Sequence, residues 1–231
     1  MVYPKRCAVC GEIVTDKDND VCIPCYKELP WIEEPSCKRC GKPVEDEEIE
    51  FCYDCSRKTF YYEYGFSLWH YSSKMKQSIA YFKYHNRKEY GKFYGEEFVR
   101  VFGKELLRLE PDALIPVPIH WTRYIERGYN QTEIIAQEIG KRLNIPVVDD
   151  LLVRTRKTVA QKKLDDKERV KNLEQAFSIS RKWQNGSELR KVVIIDDIYT
   201  TGNTINMCAK VLKEYGIEEV YFGALCIGSG F

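Results

Sequence analysis

Hydrophobic and polar positions divide the chain into stretches of different period. Val192-Val193-Ile194-Ile195 is an unbroken β-branched run, the pattern of a strand buried on both faces of a parallel sheet covered by helices. Asp196 and Asp197 follow, then Ile198, Tyr199 and the small-residue loop Thr200-Thr201-Gly202-Asn203-Thr204. The period then changes. Ile205, Cys208, Leu212 and Tyr215 fall on one stripe of a helix that Gly216 ends, and Glu219 to Ile227 reads as the next strand. Upstream, Asp112 to Ile119 predicts a short buried strand running into a turn fixed by Pro116 and Pro118. Ile135, Ile139 and Leu143 space a helix that stops before Pro146, and a strand is expected around Val147 to Val153. Between residues 60 and 110 the pattern is a pair of amphipathic helices, with Ile79, Phe82, Phe93, Phe98 and Val101 as core positions and lysines outside. The fold class is therefore α/β, a central, mostly parallel sheet flanked by helices.

The amino-terminal quarter has no such pattern and is organised by cysteine. Four Cys-x-x-Cys pairs, Cys7/Cys10, Cys22/Cys25, Cys37/Cys40 and Cys52/Cys55, are each separated from the next by eleven residues. Two thiolates on a tight turn hold one edge of a tetrahedral zinc ion, and two such turns close a four-cysteine site. Two structural zinc ions are thus expected, and they should supply most of the folding energy of a segment with so few apolar residues. Gly follows Cys10 and Cys40 but not Cys25 or Cys55, which makes the repeat about thirty residues long. Sequential ribbons, Cys7 to Cys25 and Cys37 to Cys55, are the expected arrangement, and equal spacing leaves an interleaved one open. Cys208 and Cys226 fall in apolar patterns and read as small core residues.

Composition fits a full α/β domain plus a small metal-held module in 231 residues. The net charge of +1 conceals an acidic ribbon segment carrying Asp16, Asp18, Asp20, Glu33, Glu34 and the cluster from Glu45 to Glu50. That sign opposes a nonspecific grip on nucleic-acid phosphates and suits a protein contact. The basic and aromatic residues lie elsewhere, between Tyr71 and Phe93, where Lys83 and Arg87 belong to a face that could stack and pair with single-stranded DNA. No stretch approaches the ~20 apolar residues of a membrane span. The first residues, Met-Val-Tyr-Pro-Lys-Arg-Cys, form no apolar secretory segment, so free thiols in a cytoplasmic protein are expected rather than disulfides.

Candidate chemistry concentrates after Ile195. Ligands of open α/β sheets collect at the carboxyl ends of the strands, where vicinal carboxylates can accept hydrogen bonds from two ribose hydroxyls or help hold a cation. The following loop offers hydroxyls and an unhindered backbone at the start of a helix, a place that favours phosphate. A Gly-x-x-x-x-Gly-Lys-Ser/Thr nucleotide loop is not present in the sequence. The run from Val192 to Thr204 resembles the substrate-binding motif of type I phosphoribosyltransferases. That resemblance implies phosphoribosyl pyrophosphate (PRPP) as ligand, with Asp196 and Asp197 on the ribose hydroxyls and Thr200, Thr201, Gly202, Asn203 and Thr204 on the 5′-phosphate. Arg123 and Arg127 stand in the loop after the first core strand, where guanidinium groups could meet pyrophosphate together with magnesium. The basic segment from Arg154 to Arg169 falls where this fold carries a loop over the active site.

Four cysteine pairs, Phe82-Lys83-Tyr84, Pro116-Val-Pro118, Arg127-Gly-Tyr-Asn-Gln131, Gln161 with Leu164, Arg169 with Asn172, Ala176-Phe177 and the Asp196 to Thr204 motif together resemble the ComF family of competence proteins. The resemblance covers almost the whole chain. It implies a double zinc ribbon over residues 1–58 and a phosphoribosyltransferase-like domain over 59–231, divided into a helical hood or linker at 59–110 and a core at 111–231. It also implies a role in natural transformation, where imported single-stranded DNA reaches the cytoplasm. Purine-salvage phosphoribosyltransferases carry an acid where this chain has Thr200, so a purine acceptor held in the same way does not fit. Two readings follow. In one, Asp196, Asp197, Arg123 and Arg127 serve transfer of a phosphoribosyl group to a nitrogen acceptor with release of pyrophosphate. In the other, the pocket is a PRPP sensor on a non-catalytic adaptor for single-stranded DNA and a competence helicase. A zinc-ribbon transcription factor leaves the Asp-Asp loop without a purpose.

Overall fold

The apolar run beginning at Val192 forms a strand held between two parallel neighbours, and the other elements are laid against it. The computed structural model describes residues 4–15, 19–155 and 176–228. In chain order these form the short helices α1 (Ile23–Lys27) and α2 (Tyr53–Arg57), strand β1 (Gly65–His70), helices α3 (Ser73–Tyr84) and α4 (Tyr90–Leu109), and strand β2 (Ala113–Pro116). There follow α5 (Trp121–Arg127), α6 (Gln131–Leu143), β3 (Leu152–Arg154), β4 (Phe177–Ile179), β5 (Lys191–Tyr199), α7 (Asn203–Tyr215) and β6 (Glu219–Ile227). The main sheet has the order β1-β6-β5-β2, with every pairing parallel. Its faces alternate along β5. Val193 and Ile195 pack with α3, α4 and α6, whereas Val192 and Ile194 pack with α7.

Three local readings of the sequence change. β1 lies inside the stretch whose pattern suggested helices alone; its buried positions fall on both faces of the strand, so no period-two alternation marks it. The strand expected around Val147 to Val153 is divided. Val147 makes a lone parallel bridge to Leu114, and after Asp149 and Asp150 the chain enters β3, which pairs antiparallel with β4 in a separate small sheet. Val101 faces solvent at 37% exposure, because the buried track of α4 runs through Tyr90, Tyr94, Phe98 and Leu106 and turns away from it. The strand Ala113–Pro116 and the helices Gln131–Leu143 and Asn203–Tyr215 follow the sequence pattern closely.

The two ribbons repeat each other bond for bond at a spacing of thirty residues. Cys7 N–H donates to Glu12 O at 2.8 Å and Gly11 N–H to Cys7 O at 2.9 Å; Cys37 N–H donates to Lys42 O at 2.7 Å and Gly41 N–H to Cys37 O at 2.8 Å. Gly11 and Gly41 both have positive φ, +80° and +72°, the conformation that lets the turn fold beneath its sulfurs. The ribbons serve different faces of the sheet. Cys7, Ala8, Val9 and Leu29 are buried with Met75 and Ile79 of α3, whereas the second set of cysteines is buried with Tyr62, Tyr199 and Phe222.

Helices α4 and α6 approach closely through glycine. A methyl group on Gly95 would lie 2.5 Å from Cβ of Glu138 and 3.3 Å from its carbonyl carbon, a contact with no flexible end to move aside. Alanine is favoured over glycine in a helix interior by about 1 kcal/mol, but overpacking of this kind costs about 1–3 kcal/mol. Gly95→Ala is therefore expected to destabilise the protein by about 1 kcal/mol net, read as a lower urea midpoint at unchanged m-value.

Candidate functional site

β5 continues past the end of its neighbour. The last residue of β2, Pro116, is in register with Ile195, and Val117 N–H donates to Ile195 O at 2.9 Å before the chain turns away. Asp196 and Asp197 come next, still within β5 and still flanked by β6, since Asp196 is in register with Ala224 and Ile198 with Cys226. The acids thus stand three and two residues before the strand ends at Tyr199, in the notch left by β2, rather than at its terminus as the sequence suggests. Both are buried, at 7% and 5% exposure.

Their carboxylates turn to opposite faces, as successive strand residues do. Asp197 forms an ion pair with Lys83 Nζ from the end of α3. Its charge also bears on Tyr71, whose hydroxyl is pushed up in pKa chiefly by burial and then by that carboxylate. Asp196 accepts the backbone N–H of Asp197 at 2.8 Å and lies on the side of Arg154 and Cys208, both of which sense its charge. Burial and then the neighbouring Asp197 hold the Asp196 carboxyl well above the ordinary carboxylate range, against the N–H of Asp197 and the charge of Lys83. Lys83 is the residue that sequence patterning misplaced. The sequence reads it as a solvated lysine outside an amphipathic helix, or alternatively as part of a face for single-stranded DNA, yet its side chain is 16% exposed and turned onto Asp197.

The loop after β5 ends at Gly202, which takes a left-handed φ of +76° and caps α7 without any side-chain cap bond. The first N–H groups of α7 are therefore left for an external acceptor. Thr200 is exposed, and Thr201, Asn203 and Thr204 are half-buried around the same turn. The bulky Tyr199 does not intrude on this loop from outside. It is buried at 2% exposure, beneath Gly202.

The loop after β2 is fixed by Asn130, which caps α6, accepts from Thr132 N–H, and donates Nδ2 to Val117 O at 3.1 Å. Thr132 Oγ1 donates to the same carbonyl at 2.7 Å. Of the arginines on α5, Arg127 donates to Gln131 Oε1 at 2.8 Å and Tyr84 Oη at 3.2 Å, and lies 4.7 Å over the Tyr84 ring. Arg123 lies close enough to Arg154 for its charge, after burial, to lower the Arg154 pKa. The arrangement brings Lys83 to Asp197 and Arg154 near Asp196, with Arg123 close to Arg154, while Arg127 stays on Tyr84 and Gln131. Arg154 enters the notch from β3, over the ring of Phe177 at 5.2 Å. Gln161, Leu164, Arg169 and Asn172 lie outside the described residues, as does most of the expected active-site loop.

The cysteines gather sequentially. Cys7, Cys10, Cys22 and Cys25 form one cluster and Cys37, Cys40, Cys52 and Cys55 another, with the sulfurs of each within 4.8 Å of one another. A tetrahedral zinc with bonds of ~2.3 Å spaces its sulfurs by roughly 3.8 Å, and Cys40 Sγ stands 3.7 Å from Cys52 Sγ. Val9 and Cys22 N–H groups donate to Cys7 Sγ at 3.4 and 3.5 Å, as outer partners of a thiolate ligand do. The donor sets fit two closed structural zinc sites.

The structure thus joins an α/β domain with a four-stranded parallel sheet to two four-cysteine clusters. Residues 1–56 match the double zinc ribbon domain family and residues 132–229 the phosphoribosyl transferase domain family. The chain is 38% identical over 110 residues to competence protein F of Haemophilus influenzae, covering 48% of each. It is 33% identical over 116 residues to DNA utilization protein YhgH of Escherichia coli strain K12, covering 50% of this chain and 49% of that one. It is 27% identical over 153 residues to competence protein ComFC of Bacillus subtilis, covering 65% of this chain and 58% of that one. The chain spans about half the length of the curated relatives it matches. A solved purine phosphoribosyltransferase from Pyrococcus horikoshii aligns with a TM-score of 0.37 and 20% identity, over 58% of this chain and 73% of that one. The chain therefore carries a region matching the double zinc ribbon domain followed by one matching the phosphoribosyl transferase domain, and it is similar in part to curated competence and DNA utilization proteins.

Two outcomes follow from the site. Metal analysis should return two zinc ions per chain, and the double variant Cys10→Ser/Cys22→Ser should keep one of them; interleaved pairing would lose both. Asp196 binds its proton more tightly in the folded chain than in the unfolded one, so its contribution to stability is complete below the ordinary carboxyl range, about pH 4, and declines as pH rises above it. Asp196→Asn should accordingly match wild type in urea unfolding at low pH and exceed it at pH 7.

Proposed function

We propose that this protein binds magnesium-PRPP in the notch beside β5, and that it does so in the cytoplasm as part of the handling of imported DNA. The observation that carries the reading is the succession of two buried carboxylates, an αL glycine and an uncapped helix N-terminus within residues 196–204. Buried carboxylates are strong acceptors for vicinal hydroxyls, and the free N–H groups of the first turn of α7 suit a phosphate. Asp196 and Asp197 would take the ribose hydroxyls, and Thr200, Thr201, Gly202, Asn203 and Thr204 the 5′-phosphate. Lys83 adds a role the sequence did not assign: its ion pair holds the Asp197 carboxylate in place for the hydroxyls. Among the described residues no helix is long and apolar enough to cross a membrane. The printed names of the relatives, two competence proteins and a DNA utilization protein, support the biological setting.

If transfer occurs, a nitrogen nucleophile forms a bond to the anomeric carbon as the bond to the pyrophosphate oxygen breaks, and the displaced electron pair leaves on pyrophosphate. Bound magnesium would neutralise part of that charge. Arg123 and Arg127 would meet the rest, with Arg127 released from Tyr84 and Gln131 to do so. A neutral amine acceptor sheds its proton to solvent after attack. Thr200 offers no carboxylate to act on an acceptor base, which favours acceptors that need no such help.

Calorimetric titration of magnesium-PRPP into the zinc-loaded protein tests the reading, with pyrophosphate release followed in the same samples with and without single-stranded DNA. Binding is expected, and Asp197→Asn should weaken it by roughly ten- to a hundredfold while leaving the fold intact, the loss expected for hydrogen bonds to a charged group. Equal affinity in that variant removes the site assignment. Release of pyrophosphate makes the protein a transferase, and binding without release makes it a PRPP sensor.

A further inference from the structure

Tyr199 has no part in holding a phosphate, yet it is the residue on which the loop rests. It closes β5, stacks on Phe222 with ring centroids 4.9 Å apart and planes at 9°, and is buried beneath the turn that follows. A methyl group built on Gly202 would fall 2.4 Å from the Tyr199 hydroxyl oxygen. The hydroxyl is thus the floor of the loop, and glycine is needed above it both for its φ and for its missing side chain.

That hydroxyl is bonded to Tyr62 Oη at 2.7 Å, a contact between two buried side chains far apart in sequence. Tyr62 is 3% exposed and packs edge-on against the same Phe222, at 4.9 Å and 75°. It lies in one core with the second set of cysteines. Burial holds both hydroxyls in the protonated form. The residues on either side of Tyr62 grip α7. Tyr61 N–H donates to Asn206 Oδ1 at 2.7 Å in the first turn, and Glu63 pairs with Lys213 at 2.8 Å. The chain leaving the second ribbon is therefore strapped along the helix whose N-terminus forms the candidate phosphate site.

We infer that Tyr62 and Tyr199 are a positioning pair that seats the phosphate loop on the second four-cysteine site, so that anion affinity at the loop depends on that ribbon being intact. The inference rests on the reading of residues 200–204 as a phosphate site. Neither tyrosine touches the anion; each acts through the height and angle of Gly202. A hydroxyl pair of this kind works as a unit, so losing either member loses most of the effect.

The test uses the full zinc-loaded chain, ribose 5-phosphate as probe, and the variants Tyr62→Phe, Tyr199→Phe and both together, which keep the rings and remove only oxygen. Each single variant is expected to weaken the probe by about three- to tenfold, the worth of one internal hydrogen bond, with the double variant no weaker than the weaker single. Zinc content should stay at two, and the amide resonances of Gly202 and Asn203 should move in Tyr62→Phe although residue 62 never meets the ligand. Unchanged affinity with unmoved amides overturns the inference, and so do strictly additive losses. If wild type fails to bind ribose 5-phosphate, the phosphate-site reading falls, and the amide shifts in Tyr62→Phe alone decide whether the seat exists. Should a variant not fold, graded zinc removal from wild type gives the second measurement: the same amides must shift as the second site empties, and their constancy would sink the idea.

Discussion

Two adjacent carboxylates inside a parallel sheet are the constraint around which this protein is arranged. Desolvating an ionised carboxylate costs several kcal/mol unless charges and hydrogen bonds replace the lost water. Asp196 and Asp197 are successive residues of β5, whose side chains turn to opposite faces, so their direct partners come from different elements. Asp197 is met by Lys83 from α3, and Asp196 by the backbone N–H of its neighbour with Arg154 nearby from β3. Asp196, buried beside Asp197, holds its proton to a higher pH than an ordinary carboxyl does. Elements on both faces of the sheet must therefore be placed accurately before the acids can be tolerated.

The ribbons answer that requirement, one on each face. The first is fastened to α3, where Ser78 Oγ bonds both Ala8 O and, at 2.6 Å, Tyr94 Oη, and where Tyr81 packs against Gly11. This is the helix that ends in Lys83. The second ribbon shares its core with Tyr62, Phe222 and Tyr199, beneath the loop that starts α7. Each module is too small to bury much apolar surface of its own and takes its rigidity from four thiolates. The four-cysteine clusters lie outside the notch, each in a core that reaches it from one face of the sheet.

The sequence made the centre of the site legible and left its partners hidden. β5, α7 and β6 could be read because their information is local: a β-branched run, a stripe at helical spacing, glycines at Gly202 and Gly216, and a second apolar run. The thirty-residue repeat was likewise visible in the glycines after Cys10 and Cys40, and shared turn geometry bears it out. Sequential pairing was not decided by spacing, because equal intervals allow both arrangements; it follows from the folded positions of the sulfurs. β1 was missed because a strand buried on both faces and rich in aromatics carries no period of two. Lys83 was misassigned for a related reason. A lysine among aromatics on an amphipathic helix looks like a solvated charge, and nothing near it in sequence announces an aspartate on β5.

Lys83 also alters how the notch meets a ligand. Asp197 has a cationic partner in Lys83, so on the proposed reading a sugar hydroxyl would either share the carboxylate with Lys83 or displace it. Sharing is geometrically available, because a carboxylate offers about four lone-pair directions and one ammonium occupies one of them. Displacement would strand a largely buried ammonium and cost more than a neutral hydroxyl returns. The pair therefore favours a ligand that brings a hydroxyl rather than a second cation to Asp197. A metal ion seated directly on that carboxylate is disfavoured by the same charge. The positive end of the notch, with Arg123 and Arg154 close enough to repel each other, then remains for the anionic part of the ligand.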